Sequence, residues 1–99
     1  RTVIVRGVVD RKVVQWSLKR GDFCLITLKK ESPFTFVLSE RGGLVESCAN
    51  VKIRDIVKVK FVQPVDGHER EVKALEFVDL TYEIFAYKFT HPTEASPCD

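Results

Sequence analysis

The side chains best suited to covalent or metal chemistry are few and lie far apart along the chain. They are Cys24, Cys48, Cys98, His68 and His91. No two of them have the spacing of a metal-binding pair, and neither histidine has a nucleophile and a carboxylate in a convincing catalytic arrangement. The glycine pair at 42–43 also lacks the spacing of a phosphate-binding loop. We therefore expect a protein that is not an enzyme and that holds no metal and no cofactor.

The three cysteines leave two interpretations of their redox state open. Cys24 lies in the apolar run 23–26 and is predicted to be a small buried hydrophobe, whereas Cys98 lies among polar residues. Reduced structural thiols in a nuclear or cytosolic protein are the favoured interpretation. A single disulfide in a secreted protein is the alternative. The chain contains no Met, so we expect it to be excised or processed from a longer protein.

Length and composition predict one globular domain. The chain has 99 residues, of which 44% are hydrophobic and 30% are charged. No apolar run approaches the roughly 20 residues that a membrane-spanning helix needs, so we expect no membrane association. No signal-peptide pattern is present at the amino end, and an intracellular protein is favoured over a secreted one. We expect the domain to cover residues 1–90 and a polar tail or linker to cover 91–99.

Alternating apolar and polar residues predict five β-strands. The predicted strands are Thr2 to Val9, Phe23 to Lys30, Phe34 to Ser39, Ile56 to Val62, and one that begins near Val72. Gly7 indicates a bulge or a close backbone approach inside the first strand. The one internal candidate for a helix is Leu44 to Asn50, between strands three and four. Residues 80–89 fit both a helix and a strand, and extension of the fifth strand is favoured.

The apolar phase of these strands predicts the core. The predicted buried residues are Val5, Ile26, Val57, Val59 and Phe61. Phe34 and Phe36 share a face with Leu38, and an entirely apolar face favours packing in the core over a platform for a ligand.

Five strands with a short break after the third predict an all-β fold, a small five-stranded Greek-key barrel with at most one short helix between strands three and four. The pattern resembles the oligonucleotide/oligosaccharide-binding (OB) fold over about residues 2–80. The resemblance is carried by residues 3–9 (VIVRGVV), 23–29 (FCLITLK) and 53–60 (IRDIVKVK), and the last of these looks like the entry to strand four in replication protein A-like domains. Arg54-Asp55 stands where a Gly-Asp turn is common. A pleckstrin-homology-like barrel is the alternative, although it needs two more strands and a carboxyl-terminal helix.

Charge is distributed unevenly although the formal net charge is only +2. Residues 1–30 carry eight basic and two acidic side chains, and residues 51–60 carry four basic and one acidic. Residues 61–99 carry three basic and eight acidic side chains. Affinity for phosphates depends on local clusters of Lys and Arg, so a small net charge does not exclude nucleic acid. Ordinary solvated strand faces are the alternative interpretation.

The resemblance implies a ligand site along strands two and three and in the loops that join strands one to two and four to five. Cations that follow phosphates and aromatic rings that stack on bases would form it. The candidates are Arg11, Lys12, Trp16, Lys19, Arg20, Lys29, Lys30, Lys58 and Lys60. Those from 11 to 20 are expected in the first long loop, around Trp16, although Trp16 shares a face with Val14 and Leu18 and burial in the core is favoured for it. The acidic loop between strands four and five counts against nucleic acid.

Two functions follow as expectations. The resemblance implies a domain that binds single-stranded DNA or RNA, within a larger nuclear protein of the genome-maintenance or telomere type. The alternative is a barrel that binds a protein partner, or a neighbouring domain of its parent protein, through the aromatic carboxyl-terminal segment. The partner-binding candidates there are Tyr82, Phe85 and Tyr87, because aromatic residues are enriched at the cores of protein interfaces.

Overall fold

Five strands form a closed barrel with one short helix. The computed structural model describes residues 1–19, 21–29, 33–40 and 43–83. The elements are β1 (Thr2–Ser17), β2 (Gly21–Leu28), β3 (Thr35–Ser39), α1 (Leu44–Asn50), β4 (Ile56–Val62) and β5 (Glu71–Asp79). The predicted all-β barrel, with its helix between the third and fourth strands, is confirmed. The tail expected over residues 91–99 lies outside the described residues.

The strands follow one another around the barrel in the order β1-β2-β3-β5-β4, and β4 returns to pair with β1. β3 and β5 run parallel, whereas every other neighbouring pair is antiparallel. A parallel pair needs a crossover between its strands, and α1 with β4 supplies it. Closure lets the apolar faces bury one another and pairs most of the strand edges.

β1 is twice as long as the sequence predicted, and it serves two neighbours. Residues 2–8 pair with β4, and residues 9–17 pair with β2. The register shifts between Val9 and Arg11, so Asp10 is the extra residue of a β-bulge. Of the two alternatives predicted for Gly7, a bulge or a close backbone approach, the bulge is wrong, because Gly7 pairs with Val57 in regular register. The predicted long first loop is also wrong, because only residues 18–20 join β1 to β2.

The core consists of the inward residues of the strands. Ile26, Val57, Val59 and Phe61 are buried as predicted, whereas Val5 is only partly buried and packs against the edge of the core. Phe36 is fully buried, and its ring lies 5.1 Å from the ring of Phe61. The half-buried Phe34 lies 5.3 Å from the same ring. The prediction that these two phenylalanines pack in the core is confirmed.

Helix α1 covers one end of the barrel and is fixed there by a disulfide. Cys48 of α1 is bonded to Cys24 of β2, and both residues are buried. The favoured interpretation of reduced thiols is wrong for this pair. The sequence could not indicate the bond, because the two cysteines are 24 residues apart and meet only when α1 packs against β2. Cys98 lies outside the described residues.

The turn before β4 takes an unusual backbone conformation. Arg54 has φ 80°, in the left-handed region, and is the one described residue other than glycine with a positive φ. Hydrogen bonds hold this conformation, since Arg54 N–H donates to Val9 O and Val9 N–H donates to Asp55 O, each at 2.8 Å. Glycine adopts this region without steric cost. The position is the one at which the sequence departs from the Gly-Asp turn of the OB pattern.

β5 ends at Asp79, and residues 81–83 form a helical turn. The predicted extension of the strand is therefore wrong where the structure describes it. Thr81 causes the break, since its N–H donates to Asp79 Oδ1 at 3.0 Å while its Oγ1 accepts from Ile56 N at 2.7 Å. The described part of the chain contains no helix that is long and apolar enough to cross a membrane.

Candidate functional site

Seven of the nine predicted nucleic-acid-binding residues are described, and these seven do not form one cluster. Arg11, Lys12 and Trp16 lie on β1 rather than in a loop, whereas Lys58 and Lys60 lie on β4. Lys19 belongs to the turn after β1, and Lys29 follows β2. The other two, Arg20 and Lys30, lie outside the described residues.

Lys12 serves the fold rather than a ligand. Its Nζ donates to Cys48 O at 3.0 Å and to Val51 O at 2.8 Å. These carbonyls belong to the end of α1, where backbone oxygens lack partners within the helix. The bulge at Asp10 turns Lys12 toward α1, since Lys12 lies opposite the buried Ile26. These contacts use two of the three donors of the ammonium group and favour a structural role for Lys12 over the predicted contact with phosphate.

Lys60 is already paired with an acidic residue. Its Nζ lies 3.4 Å from Glu76 Oε2, and the two residues are direct neighbours on β4 and β5. An exposed pair of this kind contributes at most about 1 kcal/mol. It nevertheless cancels the local charge, so Lys60 adds little to a phosphate site.

Trp16 is exposed, and the expectation that it packs in the core is wrong. It exposes 65% of its surface, beside Val14 at 63% and Leu18 at 91%. Val14 and Trp16 lie in the part of β1 that pairs with β2, and Leu18 lies in the turn that follows. Trp16 and Arg11 lie on opposite faces of β1. Side chains alternate between the two faces of a regular strand, and these residues are an odd number of positions apart. A ligand cannot therefore contact both side chains on a single face.

Four cations share the outer face of β1 and its neighbours. Arg6 lies directly opposite Lys58 of β4, and both alternate with buried residues. Lys29 lies beside Val8, since Lys29 N–H donates to Val8 O at 2.8 Å. Arg11 lies opposite Thr27, on the outward phase of β2. We call Arg6, Arg11, Lys29 and Lys58 the β1 cation track.

The β1 cation track is not neutralised within the part of the chain that the structure describes. None of its four side chains forms an ion pair or a side-chain hydrogen bond with a described residue. Like charges directly opposite each other on neighbouring strands repel, and Arg6 and Lys58 are such a pair. Bound anions would relieve this repulsion.

Sequence reasoning missed Arg6. Its position between Val5 and Gly7 was visible, and it indicated only an exposed strand residue. The register between β1 and β4 gives Arg6 its significance, because that register places it opposite Lys58. Register between strands far apart in the sequence depends on tertiary packing, so no local signal could have revealed it.

A groove of about 650 Å³ occupies the face where the OB resemblance places the ligand. Lys19 and Lys73 line it together with three acidic residues, Glu40, Glu69 and Glu71. Phe23 lies in its wall but is only 6% exposed, so its ring face is covered. Carboxylates that outnumber cations, and the lack of an exposed aromatic ring among the described lining residues, make this groove a poor site for phosphates and bases.

Two carboxyl groups meet where β4 begins and β5 ends. Burial, and then a hydrogen bond shared with Asp79, raise the pKa of Asp55 above its usual value. Burial acts in the same direction on Asp79, but hydrogen bonds from Asp55 and from Thr81 N–H outweigh it and hold the pKa of Asp79 below its usual value. Asp55 Oδ2 also accepts from Lys52 N at 2.9 Å. The pair therefore links the turn before β4 to the end of β5.

Comparison with known proteins leaves the family of the chain open. No model of a known protein family matches the sequence, and no curated protein matches it. Among the described residues, no group of three or more His, Cys, Asp or Glu side chains is placed to hold a metal ion. The class of the protein therefore rests on the barrel and on the side chains described above.

Proposed function

We propose that the chain is a non-enzymatic binding domain of the OB type. Three features of the fold support the proposal: five strands closed in the order β1-β2-β3-β5-β4, the parallel pairing of β3 with β5, and the helix between β3 and β4. The left-handed conformation of Arg54 adds to them, because the OB pattern commonly has glycine at this position.

The proposed ligand is single-stranded DNA or RNA, bound through its phosphates along the β1 cation track. The observation that carries this proposal is the unneutralised pair of Arg6 and Lys58, continued along β1 by Lys29 and Arg11. Cations on one face exchange their counterions with those of the nucleic acid, and the released ions drive binding. A flexible single strand can follow the curved surface of a barrel, whereas a duplex bends only at a cost of several kcal/mol.

The experiment measures fluorescence polarisation of labelled oligo(dT) and oligo(U) over a series of salt concentrations. We expect Arg6→Gln to weaken binding and to reduce the slope of log K against log salt by about 0.7, which corresponds to one lost phosphate contact. Arg70→Gln is the matched control. Arg70 is an exposed cation near the groove, and its Nη1 donates to Gly67 O at 2.9 Å.

Two results would contradict the proposal in different ways. Failure of both oligonucleotides to bind at low salt would remove nucleic acid as the ligand. Loss of affinity in Arg70→Gln, with Arg6→Gln unaffected, would place the nucleic acid in the groove instead of on the β1 cation track. A melting temperature close to that of the parent chain ensures that both variants remain folded.

Protein binding beyond β5 is the second candidate function. Tyr82 exposes 78% of its surface directly after the barrel ends, while Phe85 and Tyr87, which belong to the same hypothesis, lie outside the described residues. Exposed aromatic residues are typical of interface cores. A photo-crosslinking amino acid at position 82 of the parent protein should capture a partner or a neighbouring domain. Crosslinks confined to residues 1–83 would contradict this candidate.

The resemblance also leads us to propose a nuclear parent protein that acts in genome maintenance. The disulfide between Cys24 and Cys48 weighs against a reducing compartment, because disulfides persist mainly in oxidising ones. Rapid acid quenching of cells, followed by alkylation of the denatured parent protein and mass spectrometry, tests the point, because denaturation exposes the two buried cysteines to the reagent. A nuclear protein should be alkylated at both cysteines, and full protection of both would contradict a nuclear location.

A further inference from the structure

Among the residues that the structure describes, the second half of β1 has a strand partner on one side only. Residues 11–16 pair with β2 on that side, from Arg11 opposite Thr27 to Trp16 opposite Asp22. On the other side, pairing with β4 ends where Val8 meets Ile56, and the two hydrogen bonds of Val9 with the turn before β4 continue it by one residue. We call the remaining side of residues 11–16 the free edge. In a strand, alternate residues direct their N–H and C=O groups to opposite sides. The described structure therefore leaves every second backbone unit of residues 11–16 without a strand partner.

The usual protection against further pairing is confined to the start of this edge, where the bulge at Asp10 and the charges of Arg11 and Lys12 lie. Natural edges are kept short, or carry proline or charged residues that prevent another strand from adding. Residues 13–16 are Val-Val-Gln-Trp, with no proline and no charge. Val14 and Trp16 are largely exposed on one face of the same stretch. Exposed apolar residues beside an unpaired edge are typical of a surface that another chain covers.

We propose that an extended segment of a partner protein adds to β1 as a further strand along residues 11–16. Main-chain hydrogen bonds to the free edge supply affinity, and alternate side chains of the added segment pack against Val14 and Trp16. The inference goes beyond nucleic-acid binding, because it uses the backbone edge and the face of β1 opposite the one that carries Arg11.

The chemistry of the segment follows from the charges of β1. This half of the strand and the turn after it carry two exposed cations, Arg11 and Lys19, and Arg20 follows Lys19 in the sequence, against a single acidic residue, Asp10. An added strand with acidic residues among its apolar ones is attracted to this edge. A second copy of the chain would instead bring a surface of the same positive charge to the edge, and like charges repel. The partner is therefore an acidic, apolar segment of another protein.

The test uses a soluble peptide of about seven residues, close to the usual length of a strand, in which valine alternates with glutamate and threonine. Amide hydrogen exchange of the isotope-labelled full chain is measured with and without this peptide. We expect protection of every second amide of residues 11–16, while the amides that already bond to β2 stay protected throughout. The same peptide with N-methyl groups on its pairing edge should bind about tenfold more weakly or worse, since it lacks the donors.

A pair of matched variants locates the contact. Val14→Asp places a carboxylate against the valine side chains of the peptide and should weaken binding about tenfold or more. Val65→Asp makes the same change at a fully exposed valine of the β4–β5 connection and should leave binding unchanged. Both side chains are mostly exposed, so both variants should melt within a few degrees of the parent, roughly the effect of ordinary surface substitutions.

Several results would overturn the proposal. Equal binding of the N-methylated peptide, or protection without alternation, would exclude strand addition at this edge. A second copy of the chain would be the occupant if, without peptide, the protection of every second amide increased with protein concentration and sedimentation velocity showed a dimer. Protection of the same amides by oligo(dT) in place of the peptide would assign the edge to nucleic acid.

Discussion

Replacing Lys12 by methionine tests whether this cation holds the barrel together. The ammonium group of Lys12 donates to Cys48 O and Val51 O at the end of α1. Cys48 O also accepts from Val51 N at 3.2 Å, so the ammonium caps a turn that is already formed. Methionine retains an unbranched apolar side chain of similar length and removes only the donor and the charge. Lys12→Met therefore leaves two carbonyl groups at the end of the helix without this partner.

The expected loss of stability follows from these two contacts. A hydrogen bond to a charged group contributes about 1.5–3 kcal/mol when it is buried. The site is partly buried, so water can reach the carbonyls in the variant, and we expect a total loss of about 2 kcal/mol for the pair. In a domain of this size each kcal/mol shifts the melting temperature by about 4–8 °C, so Lys12→Met should melt roughly 10 °C lower.

Thermal unfolding followed by circular dichroism measures the effect. The buffer should be non-reducing, so that the disulfide keeps α1 in place in every variant. Lys19→Met is the control, because Lys19 is an exposed lysine in the turn after β1. A Lys12→Met variant that melts within about 2 °C of this control would refute a structural role, since surface substitutions have effects of about that size.

The two remaining predictions concern the turn before β4. Arg54→Gly should raise the free energy of unfolding by about 0.5–1 kcal/mol in urea denaturation, because glycine adopts the left-handed conformation without strain, and Arg54→Ala should not. Asp55→Asn should raise the melting temperature at pH 7 and have little effect near pH 3, because the pKa of Asp55 is raised in the folded state. Protonated Asp55 contributes fully to stability below the usual carboxyl pKa. This contribution is lost as the pH rises through the pKa of Asp55 in the folded state. An equal effect at both pH values would contradict a proton shared with Asp79.

The strands and the helix could be predicted from the sequence because their signals are local. β4 alternates between apolar and polar residues from Val57 to Phe61, β3 is a short apolar run between Thr35 and Ser39, and α1 lies between a glycine pair and an extended segment. The second half of β1 could not be predicted so well. Val14, Trp16 and Leu18 resemble core residues in their alternation, and their exposure depends on how far β1 continues after its pairing with β4 ends. That distance is set by pairing with β2.

The candidate site could be predicted only in part. The clustering of cations in residues 1–30 directed attention to β1, and three members of the β1 cation track were among the predicted residues, namely Arg11, Lys29 and Lys58. Their arrangement could not be predicted, because it depends on which strands are neighbours and in what register. The same is true of Lys12, whose partners lie 36 and 39 residues away along the chain. A lysine that caps a helix and a lysine that binds phosphate look identical in a sequence.

A single inserted residue decides how the cations of β1 are used. Residues 2–8 face outward at even positions, and a strand without a bulge would continue that alternation, with Arg11 toward the barrel and Lys12 toward solvent. The bulge at Asp10 exchanges the two, so Arg11 joins Arg6 on the outer face while Lys12 reaches α1. It also moves Val14 and Trp16 away from the face that carries the β1 cation track. Phosphate binding on one face and strand addition along the free edge can therefore coexist on the same strand.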